Sequence, residues 1–226
     1  MKLVIFDCDG TLVDSQNAIF AAMDHAFSTA GLATPPRADV LGIIGLSLPE
    51  AFTLLAPLEA PGVQAELAEL YRSCFPRARQ AGAGHDPLFE GAAQAIAALA
   101  GRDDVLLGMA TGKSRRGVAR LIEREGWHGH FFTIQTADDH PSKPHPSMIL
   151  RAMQEAGAEP HATVMVGDTS FDMEMACNAG VGALGVAWGY HTPERLTLAG
   201  AHTVAATFPD LLATIEARLS REDVLA

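Results

Sequence analysis

The chain has 226 residues, of which 48% are hydrophobic and 19% charged, and its formal net charge is −11. This composition is typical of a globular protein with room for one large domain, or for a domain with a smaller companion. The negative charge argues against nucleic acid or an anionic membrane as a partner. No apolar run approaches the ~20 residues of a membrane span, and the stretch before Asp7 is too short for a secretory signal.

Cysteine usage points to a reducing compartment. The three cysteines, Cys8, Cys74 and Cys177, are sparse and odd in number, so a disulfide framework is not expected. A cytoplasmic protein is the default for such a set. An acidic protein of this kind that handles an anion must reverse the field locally, with a metal ion or with a few placed cations.

The first predicted element is a short apolar strand, Leu3–Phe6, which runs directly into Asp7 and Asp9. Two acids at the end of a strand repel each other and lack a counter-charge in the neighbouring sequence. We therefore expect a cation or a reacting group from outside the chain to hold them there.

The next segment, residues 15–86, contains helical patterns and no convincing strand. Its predicted helices are Ala18–Ala30, Leu48–Ala56 and Val63–Arg79, with prolines as punctuation between them. We interpret this segment as an all-helical domain inserted after the first strand. The core would then comprise residues 1–14 and 87–226.

From residue 87 onward, strands and helices alternate. The predicted strands are Val105–Ala110, Phe131–Gln135, Thr163–Val166, Ala183–Ala187 and His202–Ala205. The predicted helices are Ala92–Ala100, Arg115–Glu125, Pro146–Ala156, Phe171–Asn178 and Leu211–Leu219. This alternation predicts an α/β fold, with a doubly wound, mostly parallel sheet and helices on both faces.

Chemically active side chains follow four of these strands. In chain order they are Asp7 and Asp9, then Thr111, Gly112 and Lys113, then Lys143, and finally Asp168 and Asp172. In an open parallel sheet, ligands bind beyond the carboxyl ends of the strands. These residues are therefore predicted to share one site.

Acids, a hydroxyl and amines together suit phosphoryl transfer, which depends on positioning and charge stabilisation. Asp7 can attack phosphorus as a carboxylate and form an aspartyl-phosphate. Asp9 can protonate the departing alkoxide and later activate water. Because Mg²⁺ prefers carboxylates together with phosphate and waters, Asp7 and Asp168 are predicted as its ligands, with Asp172 behind them.

The phosphate itself needs donors and positive charge. Thr111 and the amides of Gly112 and Lys113, at a predicted helix start, are candidates to hold phosphate oxygens. Lys143 can neutralise phosphate and nucleophile together. Two alternatives stay open: Lys113 as a solvated lysine at the start of a helix, and Asp172 as an acid that complements a helix dipole.

These residues, in this order, resemble the haloacid dehalogenase superfamily. FDCDGTL resembles its first motif, Thr111 after an apolar strand its second, Lys143 its third and GDTSFD its fourth. The helical insertion resembles that superfamily's cap. The resemblance implies that Asp7 is the nucleophile and Asp9 the acid/base. It also implies a Mg²⁺ ion held by Asp7, Asp168 and Asp172, with the backbone carbonyl of Asp9 as a further ligand.

Within the superfamily, the resemblance favours a phosphatase for small phosphorylated metabolites, with 2-phosphoglycolate as lead substrate. GTLVDS, GLSLPEAF and PLFEG resemble the phosphoglycolate phosphatase group. The dehalogenases lack the second acid, which this chain has as Asp9. Mutases similar to β-phosphoglucomutase are the nearer alternative, but the histidine and arginine of their caps are replaced here by Ile19 and Leu48.

An alternative of another class is a phospho-accepting signalling receiver without turnover. Receivers also collect aspartates, a threonine and a lysine at the edge of a parallel sheet. Their acceptor lies on a later strand than the paired acids, whereas here Asp7 precedes Asp9 and a second acidic motif follows Lys143. A helical insertion as long as residues 15–86 is also foreign to receivers.

Overall fold

One parallel sheet organises the computed structural model, which describes residues 1–80 and 86–220 without the side chains of 75–80 and 220. Its strands are β1 Lys2–Phe6, β2 Val105–Thr111, β3 Phe131–Thr136, β4 Thr163–Gly167, β5 Gly182–Val186 and β6 Thr203–Ala205. They pair only in parallel, in the order β3-β2-β1-β4-β5-β6. The predicted α/β fold is confirmed.

Helices fill the connections between the strands. In the described part of the chain they are α1 Gln16–Thr29, α2 Arg37–Leu41, α3 Leu48–Leu55, α4 Pro61–Gln80, α5 Ala92–Ala100, α6 Arg115–Glu125, α7 Ser147–Ala156, α8 Ser170–Ala179, α9 Pro193–Leu198 and α10 Phe208–Ser220. Every predicted helix is present, with ends shifted by a few residues at most. The sequence analysis missed α2, α9 and a 3-10 turn at Pro160–Ala162, because such short helices show no helical period. None of the described helices is long and apolar enough to cross a membrane.

Strand β1 is buried on both faces. Leu3 and Ile5 belong to an apolar cluster with side chains of α7 and α8. Val4 and Phe6 belong to another cluster, on the side of α5, α6 and α10. Successive side chains of a strand point to opposite faces, so a sheet covered by helices on both sides needs continuous apolar strands.

The strand order creates a crevice at the centre of the sheet. From β1 the chain builds outward through β2 and β3, and then returns to place β4 on the other side of β1. Such a reversal leaves an opening beyond the carboxyl ends of the two central strands, where α/β proteins bind ligands. Asp7 follows β1, and its N–H donates to the carbonyl of Val166 in β4 at 2.9 Å. The carboxyl ends of β1 and β4 therefore lie side by side.

Helices α1 to α4 have an apolar cluster of their own. Its buried members are Ile19, Met23, Ala26, Phe27, Val40, Ile44, Phe52, Ala56, Leu67 and Ala68. We propose that these helices form the cap domain, with the boundaries given above. Residues 81–85 and 221–226, which those boundaries include, lie outside the described residues.

The two chain segments that connect the cap to the sheet run side by side. Val13 pairs with Leu88 in an isolated antiparallel bridge. Asp14 N–H donates to Pro87 O at 2.9 Å, and Phe89 N–H donates to Leu12 O at 3.0 Å. The cap is thus joined to the core through one narrow, hydrogen-bonded pair of segments.

The cap cluster predicts the effect of removing its central aromatic ring. Phe52 is fully buried, and its ring centroid lies 6.0 Å from that of Phe27 and 6.3 Å from that of Tyr71. Phe52→Ala should lower the free energy of unfolding, measured by urea denaturation, by about 3–5 kcal/mol through lost burial and a cavity. Leu58→Ala, at a side chain that is 97% exposed, is the control and should change it by less than about 0.5 kcal/mol. Equal losses in the two variants would contradict this packing.

Candidate active site

Three buried carboxylates meet in the crevice between β1 and β4. Asp7, Asp168 and Asp172 each offer an oxygen, and these oxygens lie within 4.8 Å of one another. Asp7 follows β1, Asp168 follows β4, and Asp172 lies in the first turn of α8. The fold therefore brings together the three side chains that the sequence predicted as metal ligands.

Asp168 is held on both of its oxygens. Thr11 Oγ1 donates to Oδ1 at 2.9 Å, and the N–H of Tyr190 donates to Oδ2 at 2.9 Å. Gly10, at φ +86°, passes so close to this carboxylate that a Cβ there would overlap it. The glycine of the first motif is thus needed both for its left-handed backbone and for the space that the acid occupies.

Asp172 joins the acid cluster to the start of α8. Its Oδ2 accepts from the N–H of Thr169 at 3.0 Å and from Thr169 Oγ1 at 2.7 Å, as part of a capping box. Its Oδ1 accepts from Lys143 Nζ at 2.6 Å. The alternative role at the helix start is therefore present in the structure, together with membership of the acid cluster.

Lys143 supplies the positive charge inside the cluster. Its buried ammonium lies 2.6 Å from Asp172 Oδ1 and 3.0 Å from Asp7 Oδ1. Burial by itself would lower the pKa of Lys143, but the charges of Asp172 and Asp7 raise it. One ammonium among three ionised carboxylates leaves two negative charges uncompensated within the cluster.

That imbalance shows in the pKa values of the acids. Burial raises the pKa of Asp7 to about 6, although Lys143 opposes the shift. Burial, followed by the charges of Asp172 and Asp7, raises the pKa of Asp168 well above its ordinary range. Both shifts express the cost of keeping like charges together out of water.

The donor set fits a divalent metal ion. Both carboxylate oxygens of Asp7 are buried, and neither makes a hydrogen bond of good geometry within the described residues, although Lys143 Nζ forms an ion pair with Oδ1 at 3.0 Å. A buried carboxylate that is only partly compensated is costly. A hard cation that prefers oxygen ligands would satisfy these atoms and also the missing charge.

Asp9 lies apart from the three clustered carboxylates. Its Oδ1 accepts from Ser15 Oγ at 2.7 Å and from Lys113 Nζ at 2.6 Å. The N–H of Ser15 in turn donates to the hydroxyl of Tyr190 at 3.1 Å. Contact between the Asp9 backbone carbonyl and a metal stays a prediction.

The segment after β2 differs in detail from the sequence expectation. Helix α6 begins only at Arg115, with Ser114 as its cap, so the amides of Gly112 and Lys113 precede the helix rather than start it. The N–H of Lys113 donates to Thr111 Oγ1 at 3.2 Å. The alternative of a freely solvated Lys113 is wrong, because its ammonium is paired with Asp9. Physically, the buried acid outcompetes water for the lysine.

The loop after β5 also contributes to the site, although its residues are not among those predicted from the sequence. There the N–H of Tyr190 binds Asp168, and His191 Nδ1 accepts from the N–H of Ser170 at 2.9 Å. Trp188 Nε1–H donates to Thr11 O at 3.0 Å. These residues follow the carboxyl end of a predicted strand, so the rule applied to the first four strands would have found them on the fifth.

A cavity of about 400 Å³ lies where the cap meets the core beside Lys143. Its walls combine α3 and the segment before it with the loop after β3 and the start of α8. The lining residues are Leu46, Pro49, Glu50, Thr53, Leu54, Lys143, Pro144 and Phe171. Its size is that of a pocket for a small ligand.

Sequence comparison identifies the family. A family profile described as haloacid dehalogenase-like hydrolase matches residues 4–186. The chain belongs to this family. The expectation drawn from the four motifs is thereby confirmed.

Named relatives of this haloacid dehalogenase-like hydrolase cover most of its length. The probable phosphatase IndB of Dickeya dadantii is 36% identical over 221 residues, which are 96% of this chain and 94% of the relative. The pyrophosphatase PpaX of Bacillus pumilus is 30% identical over 221 residues, with 96% and 97% covered. The phosphoglycolate phosphatase of Agrobacterium fabrum is 30% identical over 193 residues, with 83% and 81% covered. The predicted enzyme class, a phosphatase, is confirmed.

The fold agrees with this assignment. A haloacid dehalogenase-like hydrolase from Streptococcus pneumoniae superposes with a TM-score of 0.81 at 25% sequence identity. The superposition covers 95% of this chain and 98% of the other. The similarity thus includes the helices α1 to α4 as well as the sheet.

The raised pKa of Asp7 predicts a pH-dependent stability in the absence of metal. A carboxyl whose pKa is higher in the folded state contributes stability that is complete below its unfolded value, near 4, and is lost as pH rises through about 6. Other acids shift the opposite way, so the informative quantity is the difference in unfolding free energy between the wild type and Asp7→Asn in EDTA. We expect the unfolding free energy of Asp7→Asn, relative to that of the wild type, to rise by roughly 2–3 kcal/mol between about pH 4 and pH 7.

Excess Mg²⁺ provides the control for this measurement. It should stabilise the wild type at about pH 7 much more than Asp7→Asn, because only the wild type offers the ion the Asp7 carboxylate. A difference between the two proteins that stays constant across the pH range would contradict the assignment of the shift to Asp7.

Proposed function

We propose that this haloacid dehalogenase-like hydrolase is a Mg²⁺-dependent phosphatase that hydrolyses a small phosphomonoester through an aspartyl-phosphate on Asp7. The observation that carries the proposal is the state of Asp7. It is a buried carboxylate beside Asp168, ion-paired with Lys143 at 3.0 Å, whose two oxygens make no hydrogen bond of good geometry within the described residues. One oxygen can serve a metal while the other attacks phosphorus.

The acids of the cluster differ in how many of their oxygen lone pairs remain available to bind Mg²⁺. Asp7 and Asp168 are the proposed direct ligands, together with the carbonyl of Asp9. Asp168 accepts one hydrogen bond on each oxygen, which leaves a lone pair of each for a metal. Asp172 pairs one oxygen with the ammonium of Lys143 and accepts two donors of Thr169 on the other, so we assign it a supporting role through its charge. When bound, the ion would balance the two uncompensated charges and withdraw charge from the phosphate oxygens.

The proposed chemistry divides between two acids. An Asp7 oxygen attacks phosphorus, and the oxygen of the leaving group takes a proton from Asp9. In the second half, Asp9 takes a proton from water, which attacks the phosphorus and releases Asp7. Lys143, 3.0 Å from Asp7 Oδ1, offsets negative charge on the nucleophile and on the phosphate throughout.

Thr111 is suited to bind a phosphate oxygen. Its Oγ1 already accepts the N–H of Lys113, so its own proton is available to donate. We propose this hydroxyl and the amide of Gly112 as donors to the phosphate. The amide of Lys113, which the sequence also favoured, is engaged by Thr111 in this structure.

The substrate class follows from the surroundings of Asp9. An acid that protonates the leaving oxygen faces the leaving group, and the ammonium of Lys113 lies 2.6 Å from Asp9. A leaving group with its own negative charge would gain from this lysine. The carboxylate of 2-phosphoglycolate and the second phosphate of pyrophosphate both fit. Relatives are named for each, and we retain 2-phosphoglycolate as lead substrate on the resemblance of the motifs.

The two alternatives have less support. A phosphomutase would be expected to place a polar group at Ile19, whereas this side chain is buried in the apolar cluster of the cap. A receiver without turnover does not accord with membership of a hydrolase family that covers residues 4–186. Incubation with a sugar bisphosphate activator and a phosphosugar, scored for isomerisation, tests the mutase directly.

The nucleophile is tested with p-nitrophenyl phosphate and Mg²⁺. Asp7→Asn should reduce kcat by at least ~10³-fold, because an amide cannot form the aspartyl-phosphate. Thermal unfolding should confirm that the variant is folded. Asp39→Asn, at an exposed acid of α2, is the control and should keep wild-type kcat. Near-normal turnover by Asp7→Asn would contradict the mechanism. Stoichiometric phosphorylation of the wild type without turnover would support the signalling receiver.

The leaving-group assignment is tested by comparing substrates with and without a second anion. Lys113→Met should lower kcat/KM for 2-phosphoglycolate and pyrophosphate about 10- to 100-fold more than for p-nitrophenyl phosphate, whose leaving group carries no carboxylate or phosphate. Because p-nitrophenolate departs with little need of a proton, ethyl phosphate is the matched reference: its alkoxide needs the proton of Asp9 as glycolate does, but it carries no second anion. A loss for ethyl phosphate equal to that for 2-phosphoglycolate would remove Lys113 from substrate binding. A higher wild-type kcat/KM for pyrophosphate would replace the lead substrate, and the phosphomonoester class with it, but would leave the aspartyl-phosphate mechanism in place.

A further inference from the structure

The loop of residues 42–47, between α2 and α3, is where the cap touches the catalytic loops of the core. The N–H of Ser47 donates to Ser142 Oγ at 2.8 Å. A Cβ on Gly112 would lie 2.6 Å from the carbonyl oxygen of Gly45, so only a glycine allows this close approach. Ser142 precedes Lys143 and Gly112 follows Thr111. The 42–47 loop therefore contacts one proposed site residue, Gly112, and the neighbour of another, Ser142 beside Lys143.

His191 makes a third and different contact with this loop. Its side chain is buried, and Nδ1 accepts from the N–H of Ser170 at 2.9 Å. Nδ1 therefore carries no proton, and Nε2 donates to the carbonyl of Gly42 at 3.1 Å. Burial lowers the pKa of His191, in agreement with a neutral ring. One imidazole thus spans from the core to the cap loop.

The core end of this bridge lies between two acids of the cluster. Ser170 is the first residue of α8, two positions after Asp168 and two before Asp172. The backbone N–H of His191 also donates to Asp168 O at 3.3 Å. The ring packs edge-on against Phe171, with centroids 5.6 Å apart. Side chain and backbone of His191 together fix the turn of residues 168–172.

We propose that His191 is a positioning residue that couples the seating of the 42–47 loop to the geometry of the acid-bearing turn 168–172. Its ring hydrogen bonds go to Ser170 and Gly42, so it acts on the acids only through the turn. The inference rests on the proposed function, because it concerns the metal and substrate affinity of the same site. It predicts that the ring hydrogen bonds to Ser170 and to Gly42 can be removed one at a time, with different effects on the site.

Two variants make that separation. His191→Asn places an amide oxygen near the position of Nδ1 and keeps an acceptor for Ser170, but it is too short to reach Gly42. His191→Gln reaches Gly42 with its amide nitrogen and loses the acceptor at the Nδ1 position. His191→Phe keeps a ring and removes both hydrogen bonds. His202→Asn is the matched control, since His202 Nδ1 also accepts a backbone N–H, from Ala183 at 3.0 Å, far along the chain from the acid turn.

The readouts are the Mg²⁺ dissociation constant, measured by calorimetry without substrate, and KM for p-nitrophenyl phosphate at saturating Mg²⁺. Losing one hydrogen bond is expected to change the affected constant about 3- to 10-fold. His191→Gln should weaken Mg²⁺ binding with KM nearly unchanged, and His191→Asn should raise KM with the Mg²⁺ constant nearly unchanged. His191→Phe should change both, and His202→Asn neither.

A purely structural role for His191 would give a different result. It would lower the unfolding temperature and the active fraction and leave both constants at their wild-type values, which would overturn the proposal. Identical changes in His191→Asn and His191→Gln would contradict the assignment of one ring hydrogen bond to Mg²⁺ binding and of the other to KM. Absence of turnover in the wild type would refute the proposed function instead, and the calorimetric arm would still decide on His191.

Discussion

Three carboxylates and one ammonium buried in a single crevice are the constraint on which the rest of this structure depends. With all three carboxylates ionised, their charge would exceed that of Lys143 by two, and burial keeps water from compensating it. The surrounding chain is arranged around this excess, with donors from Thr11, Thr169 and Tyr190 on the acids. Such an arrangement of buried acids costs stability by itself, and its donor set fits a cation.

The topology explains why this cluster forms where it does. Strand β1 lies between β2 and β4, so the loops after these strands open toward one point. Acids, hydroxyl and lysine come from parts of the chain far apart in sequence, yet each needs only to follow a strand to reach the site. The same sheet carries many chemistries in other proteins, which differ in the side chains placed at this edge.

The cap places one loop, residues 42–47, against the edge of the sheet that carries the acids. Helices α1 to α4 pack on their own apolar cluster, which lets them hold one loop against the core without sharing its interior. Contacts from this loop reach Gly112 and Ser142, which adjoin Thr111 and Lys143 in sequence, and His191, which is hydrogen-bonded to the turn of residues 168–172. The acid cluster in the core and the helices α1 to α4 are thus physically linked through a few contacts of this loop.

The sequence alone determined the elements that repeat a local pattern: six apolar strands, the longer helices, and the acids, hydroxyl and lysines at strand ends. It missed α2 and α9, which are too short to show a period, and His191, which looks like any loop histidine. Only the tertiary structure decided that Lys113 pairs with Asp9 and that Asp172 is occupied by Lys143 and Thr169. Residues at strand ends can be assigned to one site from the sequence, because the carboxyl ends of parallel strands lie at the same edge of a sheet. Which lysine meets which acid depends on distances between segments more than 25 residues apart, which no local pattern records.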